Sequence, residues 1–348
     1  MNELRIGVIG LGGIARSHIR GILEGRYMRL AAVCDAVAGN REEVGAQYGI
    51  PTSLRFEDYR QLIACPEVDA VVIALPNHLH YEAAKTAILH RKPFLLEKPV
   101  ALNAGQAKEL LELQRARQVP NMVAFSYRYK SAVRYAKHLI AEGRLGNIRH
   151  VYGRYLQSWG LKDYPLVWRL SKAQSGSGAL GDLGSHLLDL TRYLVGDITE
   201  VAAAAGTIRK RRKRLDGDEW GEVDVDDYCH LLAAIDGEIS GSFEISRFAH
   251  GRGNYQRFEI YGEEGALIYE LEAEDTLSVC LGPVYGEART FQRIPIPDAF
   301  KAHQMRSFRD IALGASDPDS ATLEDGYINQ LWLDNIQRSF EERTWVRG

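Results

Sequence analysis

Gly10-Leu11-Gly12-Gly13-Ile14-Ala15 follows an apolar run at Leu4–Ile9 and opens a helical pattern at Ile14–Leu23. The six residues fit G-x-G-x-x-G/A, in which the first glycine permits a tight turn and the second lets the backbone approach a pyrophosphate. Ala15 keeps the helix close to the sheet, and the helix N-terminus attracts phosphate charge. The stretch predicts the first turn of a dinucleotide-binding sheet, with cofactor contacts at Gly10, Gly12, Gly13 and Ile14.

An acidic residue stands at the end of the second predicted strand, where such a cofactor places its adenosine ribose. Asp35 follows the apolar run Leu30–Cys34 at the distance of about 20 residues expected after the glycine motif. A carboxylate here accepts hydrogen bonds from the ribose hydroxyls and repels a 2′-phosphate. Ala36 comes next rather than an arginine, although Arg41 is close in sequence. We therefore expect NAD as the cofactor, with NADP as the less favoured alternative.

The periodicity of apolar residues changes near residue 126, which predicts two domains. Residues 1–125 alternate short apolar runs with helical patterns, as in a Rossmann doubly wound parallel sheet. Between residues 200 and 294, strands with alternating apolar residues follow at short spacing, which is typical of an open, mostly antiparallel sheet. The predicted fold class is α/β, with a nucleotide-binding domain at 1–125 and a second α/β domain at 126–348.

The composition argues against several classes of partner. The 348 residues are 45% hydrophobic and 26% charged with a formal net charge of −3, so nothing points to nucleic acid or a membrane. No segment has the roughly 20 apolar residues of a membrane span, and the four cysteines lack metal-ligand spacing. We expect a cytoplasmic protein without a metal site. The basic run Arg209–Arg214 is interpreted as a solvated loop between two strands.

Residues 176–189 read Gly-Ser-Gly-Ala-Leu-Gly-Asp-Leu-Gly-Ser-His-Leu-Leu-Asp and turn a glycine-rich loop into a helix. Asp182 and His186 are four residues apart, which in an α-helix puts them on one face. A histidine near a carboxylate is a candidate proton-transfer group, because the ordinary pKa of histidine is close to neutral pH. Asp182 orients the imidazole or binds a substrate hydroxyl; alternatively, it only caps the helix.

A lysine stands at the edge of the predicted parallel sheet. Phe94–Leu96 reads as a short buried strand, and Glu97-Lys98-Pro99 follows it directly. Open α/β sheets bind ligands at the carboxyl ends of their strands, and Pro99 favours an extended conformation at Lys98. The position therefore predicts that Lys98 serves the ligand site.

The three motifs, taken together and in this order, resemble those of the Gfo/Idh/MocA oxidoreductase family. The resemblance covers essentially the whole chain and rests on the glycine fingerprint, Glu97-Lys98-Pro99 and Gly181-Asp182-x-Gly184-x-His186. It implies a Rossmann domain followed by a substrate-binding α/β domain whose open sheet makes homodimer or homotetramer contacts. It also implies a catalytic set of Lys98, Asp182 and His186, with Lys98 facing both the nicotinamide and the substrate.

The resemblance further assigns the loop Leu75–His80 to the nicotinamide half of the cofactor. The cofactor contacts expected in addition to the glycine turn and Asp35 are Leu75, Pro76, Asn77, His80, Glu97 and Lys98. No carboxylate stands in motif spacing from several other histidine rings, which we interpret as structural: His18, His78, His80 and His150.

Aromatic and polar residues before the histidine motif are candidates for substrate contacts. Aromatic faces stack on sugar rings, and glutamine or arginine side chains donate hydrogen bonds to hydroxyls. Gln157-x-Trp159 and Trp168-Arg169 look similar to the sugar- and inositol-oxidising branch of the family, and Tyr127 opens the second domain. The substrate contacts expected are Lys98, Tyr127, Gln157, Trp159, Trp168, Arg169, Asp182 and His186.

These residue types suit the oxidation of a secondary alcohol, which loses a hydroxyl proton while a hydride leaves the same carbon. His186 takes the proton and the Lys98 ammonium stabilises the developing alkoxide, unless Lys98 is itself the base. We expect an NAD-dependent dehydrogenase acting on a monosaccharide, an anhydrosugar or an inositol. Two alternatives stay open: an NAD-dependent glycosidase of the same family, and a non-catalytic regulator that binds the cofactor as a signal.

Overall fold

The computed structural model describes residues 3–215, 217–272, 274–282 and 290–348. The chain divides into two compact units. Unit 1 comprises Met1–Phe125 and His303–Gln330, and unit 2 comprises Ser126–Ala302 and Leu331–Gly348. Each unit is built around its own sheet. Within the described residues, no helix has both the length and the apolar character needed to cross a membrane.

Unit 1 contains the predicted parallel sheet. Its strands are β1 (Leu4–Ile9), β2 (Met28–Cys34), β3 (Arg55–Phe56), β4 (Ala70–Ile73), β5 (Phe94–Leu96) and β6 (Asn121–Val123). Within the described residues they pair in the order β3-β2-β1-β4-β5-β6, all in parallel. Every side chain of β4 and β5 is fully buried, as expected for strands covered on both faces.

The helices of Met1–Phe125, the first segment of unit 1, alternate with these strands. They are α1 (Gly13–Glu24), α2 (Ala38–Gln47), α3 (Tyr59–Ala64), α4 (His80–Leu89) and α5 (Ala104–Arg117). The apolar periodicity predicts four of them to within a few residues, at Ile14–Leu23, Arg41–Tyr48, Leu79–His90 and Ala104–Arg117. It misses α3 and the neighbouring strand β3, because six- and two-residue elements are too short to show a period.

A returning segment of the chain closes the edge of this sheet. The backbone N–H of Val123 donates to the carbonyl of Ala321 at 2.8 Å, and the N–H of Leu323 donates to Oδ1 of Asn121 at 2.8 Å. An edge strand leaves backbone groups unpaired, and these bonds satisfy two of them. The sequence placed all of 126–348 in the second domain, whereas His303–Gln330 belongs to unit 1.

Unit 2 contains a larger mixed sheet. Its strands are β7 (Ile148–Leu156), β8 (Ile198–Gly206), β11 (Tyr228–Ile235), β12 (Ile239–Ser246), β13 (Tyr255–Gly262), β14 (Gly265–Leu271), β15 (Asp275–Leu281), β16 (Gln292–Ile294) and β17 (Val346–Arg347); β9 (Arg211–Lys213) and β10 (Trp220–Glu222) form a separate hairpin. Within the described residues the sheet order is β16-β15-β14-β13-β7-β12-β11-β8-β17. Neighbours are antiparallel except for β7 and β12, so the predicted open, mostly antiparallel sheet is confirmed.

Burial alternates along the central strands of this sheet. On β7, Val151 and Tyr155 are buried while Tyr152 is 46% exposed, and on β11 Leu231 is buried while Leu232 is 53% exposed. A period of two puts alternate side chains on opposite faces. One face therefore packs into unit 2, and the other is open along these strands.

The remaining helices are α6 (Ser131–Ala141), α7 (Lys172–Ser175), α8 (Ser185–Leu194), α9 (Gln304–Ala312) and α10 (Leu323–Glu342). Helix α8 does not continue smoothly from the glycine-rich loop as the sequence suggested. Residues Leu180–Gly184 form a π-helical turn before it, and Ser185 starts the α-helix. Such turns are rare and are found mostly at functional sites. Asp182 lies in the π-turn and His186 in the first turn of α8.

The basic run Arg209–Arg214 is not the solvated loop that the sequence predicts. Arg211–Lys213 form strand β9, and Arg212 is only 2% exposed. The Arg212 guanidinium donates to the carbonyl oxygens of Gly160 at 2.6 Å and of Lys162 and Tyr164 at 3.0 Å each. The three carbonyl oxygens compensate for the loss of water around the buried charge. The same hydrogen bonds hold the loop that carries Trp159 in place.

A buried ion pair joins the first turn of unit 2 to helix α8. The Arg128 guanidinium contacts both carboxylate oxygens of Asp189 at 2.6 to 3.1 Å, and its Cζ lies 4.9 Å from the Tyr193 ring centre. Bidentate geometry of this kind fixes orientation as well as distance. Because Tyr127 precedes Arg128 and Asp189 lies one turn after His186, the pair holds Tyr127 next to the histidine.

Candidate active site

The glycine fingerprint in unit 1 forms the expected tight turn. Gly10 has φ +83°, and a Cβ at this position would lie 2.5 Å from the carbonyl oxygen of Ala74, so only glycine fits. A Cβ at Gly12 or Gly13 would meet nothing within 4 Å. The backbone is thus open in front of the N-terminus of α1, as phosphate binding requires. These residues fit a dinucleotide.

Asp35 closes the same turn from strand β2. Its Oδ2 accepts a hydrogen bond from the backbone N–H of Leu11 at 2.8 Å, and its Oδ1 accepts from Val37 at 2.8 Å. Arg41 donates to the backbone carbonyl of Asp35 at 2.7 Å. The carboxylate therefore lies at the glycine turn, where the sequence places the ribose, and Arg41 is directed at the backbone carbonyl.

The predicted nicotinamide loop and the Lys98 motif are joined by a buried histidine. Nε2 of His80 lies 2.7 Å from the carbonyl oxygen of Leu75, and its Nδ1 lies 2.7 Å from that of Pro99. Burial lowers the pKa of His80, although the two acceptors favour the protonated ring. His80 thus holds the loop against the motif, and half-buried Lys98 follows β5 at the carboxyl edge of the sheet.

Glu97 has a partner that the sequence did not reveal. Its buried Oε1 lies 2.7 Å from Nε2 of His18, and its Oε2 accepts from the backbone N–H of Lys98 at 3.2 Å. Burial opposes ionisation of Glu97, but the hydrogen bond and charge of His18, with the nearby Lys98, lower the pKa of Glu97. His18, interpreted from the sequence as structural, therefore supports the motif from helix α1.

In unit 2, a buried aspartate holds the start of the histidine motif. Oδ1 and Oδ2 of Asp226 accept hydrogen bonds from the backbone N–H groups of Gly178 and Leu180, at 2.7 Å each. A Cβ at Gly178 would lie 1.8 Å from the Asp226 carbonyl, which makes glycine necessary here. The capping role weighed for Asp182 therefore falls to Asp226. Burial raises the pKa of Asp226, partly offset by Arg247 and these N–H groups.

The Asp182 carboxylate contacts a buried arginine. Nη2 of Arg247 donates to Oδ2 of Asp182 at 3.3 Å and to the carbonyl oxygen of Gly178 at 2.8 Å. The Arg247 Cζ also lies 4.7 Å from the ring centre of Trp159. Asp182 is 27% exposed and Arg247 is 1% exposed. The structure thus brings Asp182 and Trp159 together through a residue that the sequence analysis did not single out.

His186 is buried against the aromatic side chains of Tyr127 and Tyr155. Its ring lies edge-on to Tyr127, with ring centres 4.6 Å apart, and 6.0 Å from Tyr155. Asn254 closes a hydrogen-bonded ring with the two tyrosines: Tyr127 Oη and Tyr155 Oη are 2.5 Å apart, Tyr155 donates to Asn254 Oδ1, and Asn254 Nδ2 donates to Tyr127. Burial raises the pKa of both tyrosines, so both stay neutral hydroxyls.

Gln157 belongs to this polar network. Its Nε2 donates to Oδ1 of Asn254 at 2.8 Å, which leaves the amide oxygen of Gln157 as an acceptor. Trp168 and Arg169 instead stack on each other, with the Arg169 Cζ 4.4 Å from the Trp168 ring centre. Within the described residues, no hydrogen bond or ring contact joins this pair to Tyr127, Trp159 or His186. Their predicted substrate role stays a prediction.

Some of the residues missed by the sequence analysis left a signal in it. Tyr155 stands two residues before Gln157, which directly follows β7, and in an extended segment residues two apart share a face. Arg247 continues the inward alternation of Phe243 and Ile245, where a charged side chain is unexpected. Asn254 left no such signal, because its position depends on where β13 begins.

We expect the Glu97–His18 pair to show in the acid stability of the protein. The pKa of Glu97 is lowered by folding, so its contribution is complete above the unfolded carboxyl pKa of about 4.3 and is lost as pH falls through the folded pKa. Glu97→Gln should lower the free energy of unfolding at pH 5.5 by about 1–3 kcal/mol. The deficit should shrink toward pH 3. Urea unfolding of the wild-type protein and the variant between pH 5.5 and pH 3 measures this deficit.

Glu109→Gln is the matched control, because Glu109 is exposed and forms a surface pair with Lys85 at 2.8 Å. Its effect should stay below about 1 kcal/mol throughout. A Glu97→Gln deficit that does not change with pH would contradict the ionised pair.

Comparisons with known proteins agree with this arrangement. Residues 4–125 match the oxidoreductase family with an NAD-binding Rossmann fold, and residues 133–268 match the GFO/IDH/MocA C-terminal domain. The chain is 32% identical to levoglucosan dehydrogenase of Pseudarthrobacter phenanthrenivorans, over 99% of this chain and 98% of that protein. It is 32% identical to glucose-6-phosphate 3-dehydrogenase of Bacillus subtilis, over 68% and 65% of the two chains.

A solved structure of levoglucosan dehydrogenase, in complex with NADH and levoglucosan, superposes on this chain with a TM-score of 0.90. The identity is 32%, and 99% of each chain is covered. The predicted cofactor class and the resemblance are therefore confirmed. The chain belongs to the GFO/IDH/MocA family of NAD-binding oxidoreductases.

Proposed function

We propose that this protein is an NAD-dependent dehydrogenase that oxidises a secondary hydroxyl of a monosaccharide, an anhydrosugar or an inositol. The observation that carries the proposal is the wall of unit 2 around His186. The buried His186 ring lies edge-on to Tyr127, beside the hydrogen-bonded network that includes Gln157. Asp182, four residues before His186 in the chain, is bonded to Arg247. Several hydroxyl-binding groups around one proton acceptor suit a polyol substrate better than a simple alcohol.

His186 is the proposed general base. His186 is 7% exposed and its ring faces Tyr127 and Tyr155, so it is a buried group of the type that accepts a hydroxyl proton. The family motif gives the Lys98 ammonium, at the carboxyl edge of the unit 1 sheet, the role of stabilising the developing alkoxide charge. NAD, when bound, supplies the hydride acceptor. We assign Lys98, Asp182 and His186 to this one reaction on the strength of the family motifs.

Substrate recognition is assigned to unit 2. Trp159 offers an aromatic surface for the apolar face of a sugar ring, and Asp182 and Gln157 offer oxygen acceptors to its hydroxyls. Trp168 and Arg169 belong to the proposed set through their motif alone. The relatives that act on levoglucosan and on glucose 6-phosphate support a sugar as the substrate class.

We also propose that the protein assembles as a homodimer or homotetramer through the open face of the unit 2 sheet. Tyr152 and Leu232 are exposed there, and charged pairs such as Arg154–Glu244 lie beside them. Exposed apolar side chains surrounded by polar ones are typical of an interface.

Turnover with a substrate panel tests the activity. We expect absorbance of reduced nicotinamide to rise with NAD and one or more members of a panel of anhydrosugars, aldoses, glucosides and inositols, beginning with levoglucosan.

His186→Ala should lower kcat by about 100-fold or more and leave NADH affinity unchanged, because only proton transfer is lost. His90→Ala, an exposed ring, is the control. Cofactor binding without turnover of any polyol would instead favour the regulator, and cleavage of glycosides without net reduction would favour the glycosidase.

Cofactor preference is predicted to depend on Asp35. Asp35→Ser removes the charge that repels a 2′-phosphate but keeps an acceptor for the N–H of Leu11. We expect the KM for NAD to rise about 10- to 100-fold, the effect of one lost charged hydrogen bond. The ratio of kcat/KM for NAD to that for NADP should fall. Asp58→Ser is the control, since Asp58 also accepts a backbone N–H bond beyond a strand end. An unchanged cofactor ratio would contradict the assignment.

The assembly is tested by light scattering of the purified protein. The mass should correspond to two or four chains, and Leu232→Glu should reduce it because a charge then stands on the open face. Leu313→Glu, which alters an equally exposed leucine of unit 1, should leave the mass unchanged. A monomeric wild-type protein would rule the interface out.

A further inference from the structure

We propose that Arg247 is a positioning residue that holds the Asp182 carboxylate and the Trp159 indole in one fixed arrangement. The proposal deepens the proposed function and rests on it. It specifies how the Trp159 indole, proposed to face the sugar ring, and the Asp182 carboxylate, proposed to face its hydroxyls, are kept at a fixed distance and orientation. Arg247 itself touches no reacting atom.

The contacts of Arg247 reach both elements at once. Nη2 donates to Asp182 Oδ2 at 3.3 Å and to the Gly178 carbonyl at 2.8 Å, while the guanidinium Cζ lies over the Trp159 ring, 4.7 Å from its centre. The backbone adds a third link, since the N–H of Gly160 donates to the Arg247 carbonyl at 2.9 Å. One residue thus ties the π-turn to the Trp159 loop.

The stacking also decides which part of the indole is available. The guanidinium covers one face of Trp159, and Tyr164 packs against the ring at 62°, with centres 5.8 Å apart. Trp159 is only half-buried, so surface remains for a ligand. A sugar ring stacked there would meet an indole that cannot turn away without breaking its contact with Arg247.

The hydrogen bonding of Arg247 differs from that of a purely structural arginine. Arg212 is equally buried and directs its guanidinium to three backbone carbonyls. Arg247 instead leaves Nε and Nη1 without a hydrogen-bond partner in the described part of the chain, and Nη2 serves Asp182. A buried donor without a hydrogen-bond partner is unfavourable. Hydrogen bonding of its guanidinium within the protein therefore does not explain why an arginine is buried at position 247, whereas its contacts with Asp182 and Trp159 do.

Arginine suits this role for a geometric reason. A planar guanidinium stacks on a ring through its face while donating hydrogen bonds in its plane, which a lysine ammonium cannot do. Arg247→Lys should therefore keep the charge beside Asp182 but lose the ordered stack. Arg247→Met should lose both and keep the bulk of the side chain.

Steady-state kinetics with the best sugar of the panel tests this. Arg247→Met should lower kcat/KM about 10- to 100-fold, through a higher KM for the sugar as well as a lower kcat. The affinity for NADH should stay unchanged. The acidic limb of kcat/KM should move to higher pH in Arg247→Met, because the Asp182 carboxylate loses the cation that contacts it, and should stay in place in Arg247→Lys.

Arg60 provides the matched control. Its guanidinium lies 4.7 Å from the Tyr59 ring centre and 3.4 Å from Asp58, which reproduces the two contacts of Arg247 on the surface of unit 1. Arg60→Met and Arg60→Lys should leave all kinetic parameters unchanged. Thermal unfolding of each variant shows whether it is folded, and if Arg247→Met is not, the Lys variant carries the KM test.

A double-mutant cycle with Trp159→Phe separates positioning from general stability. If Arg247 acts through Trp159, the double variant should lose less than the product of the two single losses. Strictly multiplicative losses, with no movement of the pH profile, would overturn the proposal.

Acrylamide quenching keeps the test independent of the proposed function. The Trp159 contribution, obtained as the difference between proteins with and without Trp159→Phe, should become more accessible in Arg247→Met. If wild-type protein oxidises no sugar, the proposed function fails, and unchanged quenching would separately overturn the role of Arg247.

Discussion

The carboxylate of Asp226 is the constraint on which the histidine motif depends. It accepts two backbone N–H bonds at the start of the π-turn, where no helical carbonyl is available to those donors. A buried carboxylate needs a compensating cation, and Arg247 is the one whose charge acts on Asp226. Arg247 in turn contacts Asp182 and Trp159. The catalytic segment, its acid and its aromatic wall therefore follow from one buried charge and its partner.

Elements whose packing is decided by local pattern could be predicted from the sequence. The buried strands of unit 1 and the alternating strands of unit 2 appear within a few residues of their expected bounds. The features that could not be predicted from the sequence depend on contacts between residues that are far apart along the chain. The run Arg209–Arg214 reads as solvent-exposed because it carries only positive charges, yet Arg212 is buried through carbonyls some fifty residues earlier. The return of His303–Gln330 likewise depends on the open edge of β6.

The residues of the candidate site likewise divide into those that the local sequence pattern predicts and those that only the tertiary structure reveals. Gly10, Asp35 and Lys98 could be predicted because each stands at the carboxyl end of a strand, where topology alone brings them to one edge. The pairing of His18 with Glu97, 79 residues apart, could not, since neither residue carries a spacing that identifies the other. The hydrogen-bonded ring formed by Tyr127, Tyr155 and Asn254 could not be predicted from the sequence either. Motifs identify the groups that touch ligands, and tertiary contacts identify the groups that hold them.

The charge of the Arg247 guanidinium acts on two carboxylates of unit 2, and it contacts Asp182 directly. The surroundings of the two carboxylates differ. Asp226 is 8% exposed and its oxygens already accept backbone N–H bonds, so it has little capacity left for a ligand. Asp182 is 27% exposed and receives a longer bond, of 3.3 Å, from the same arginine. A partly solvated carboxylate oxygen that accepts a bond from Arg247 keeps the capacity to accept a substrate hydroxyl as well. The arrangement therefore gives Asp226 a structural role and supports the proposal that Asp182 contacts the substrate.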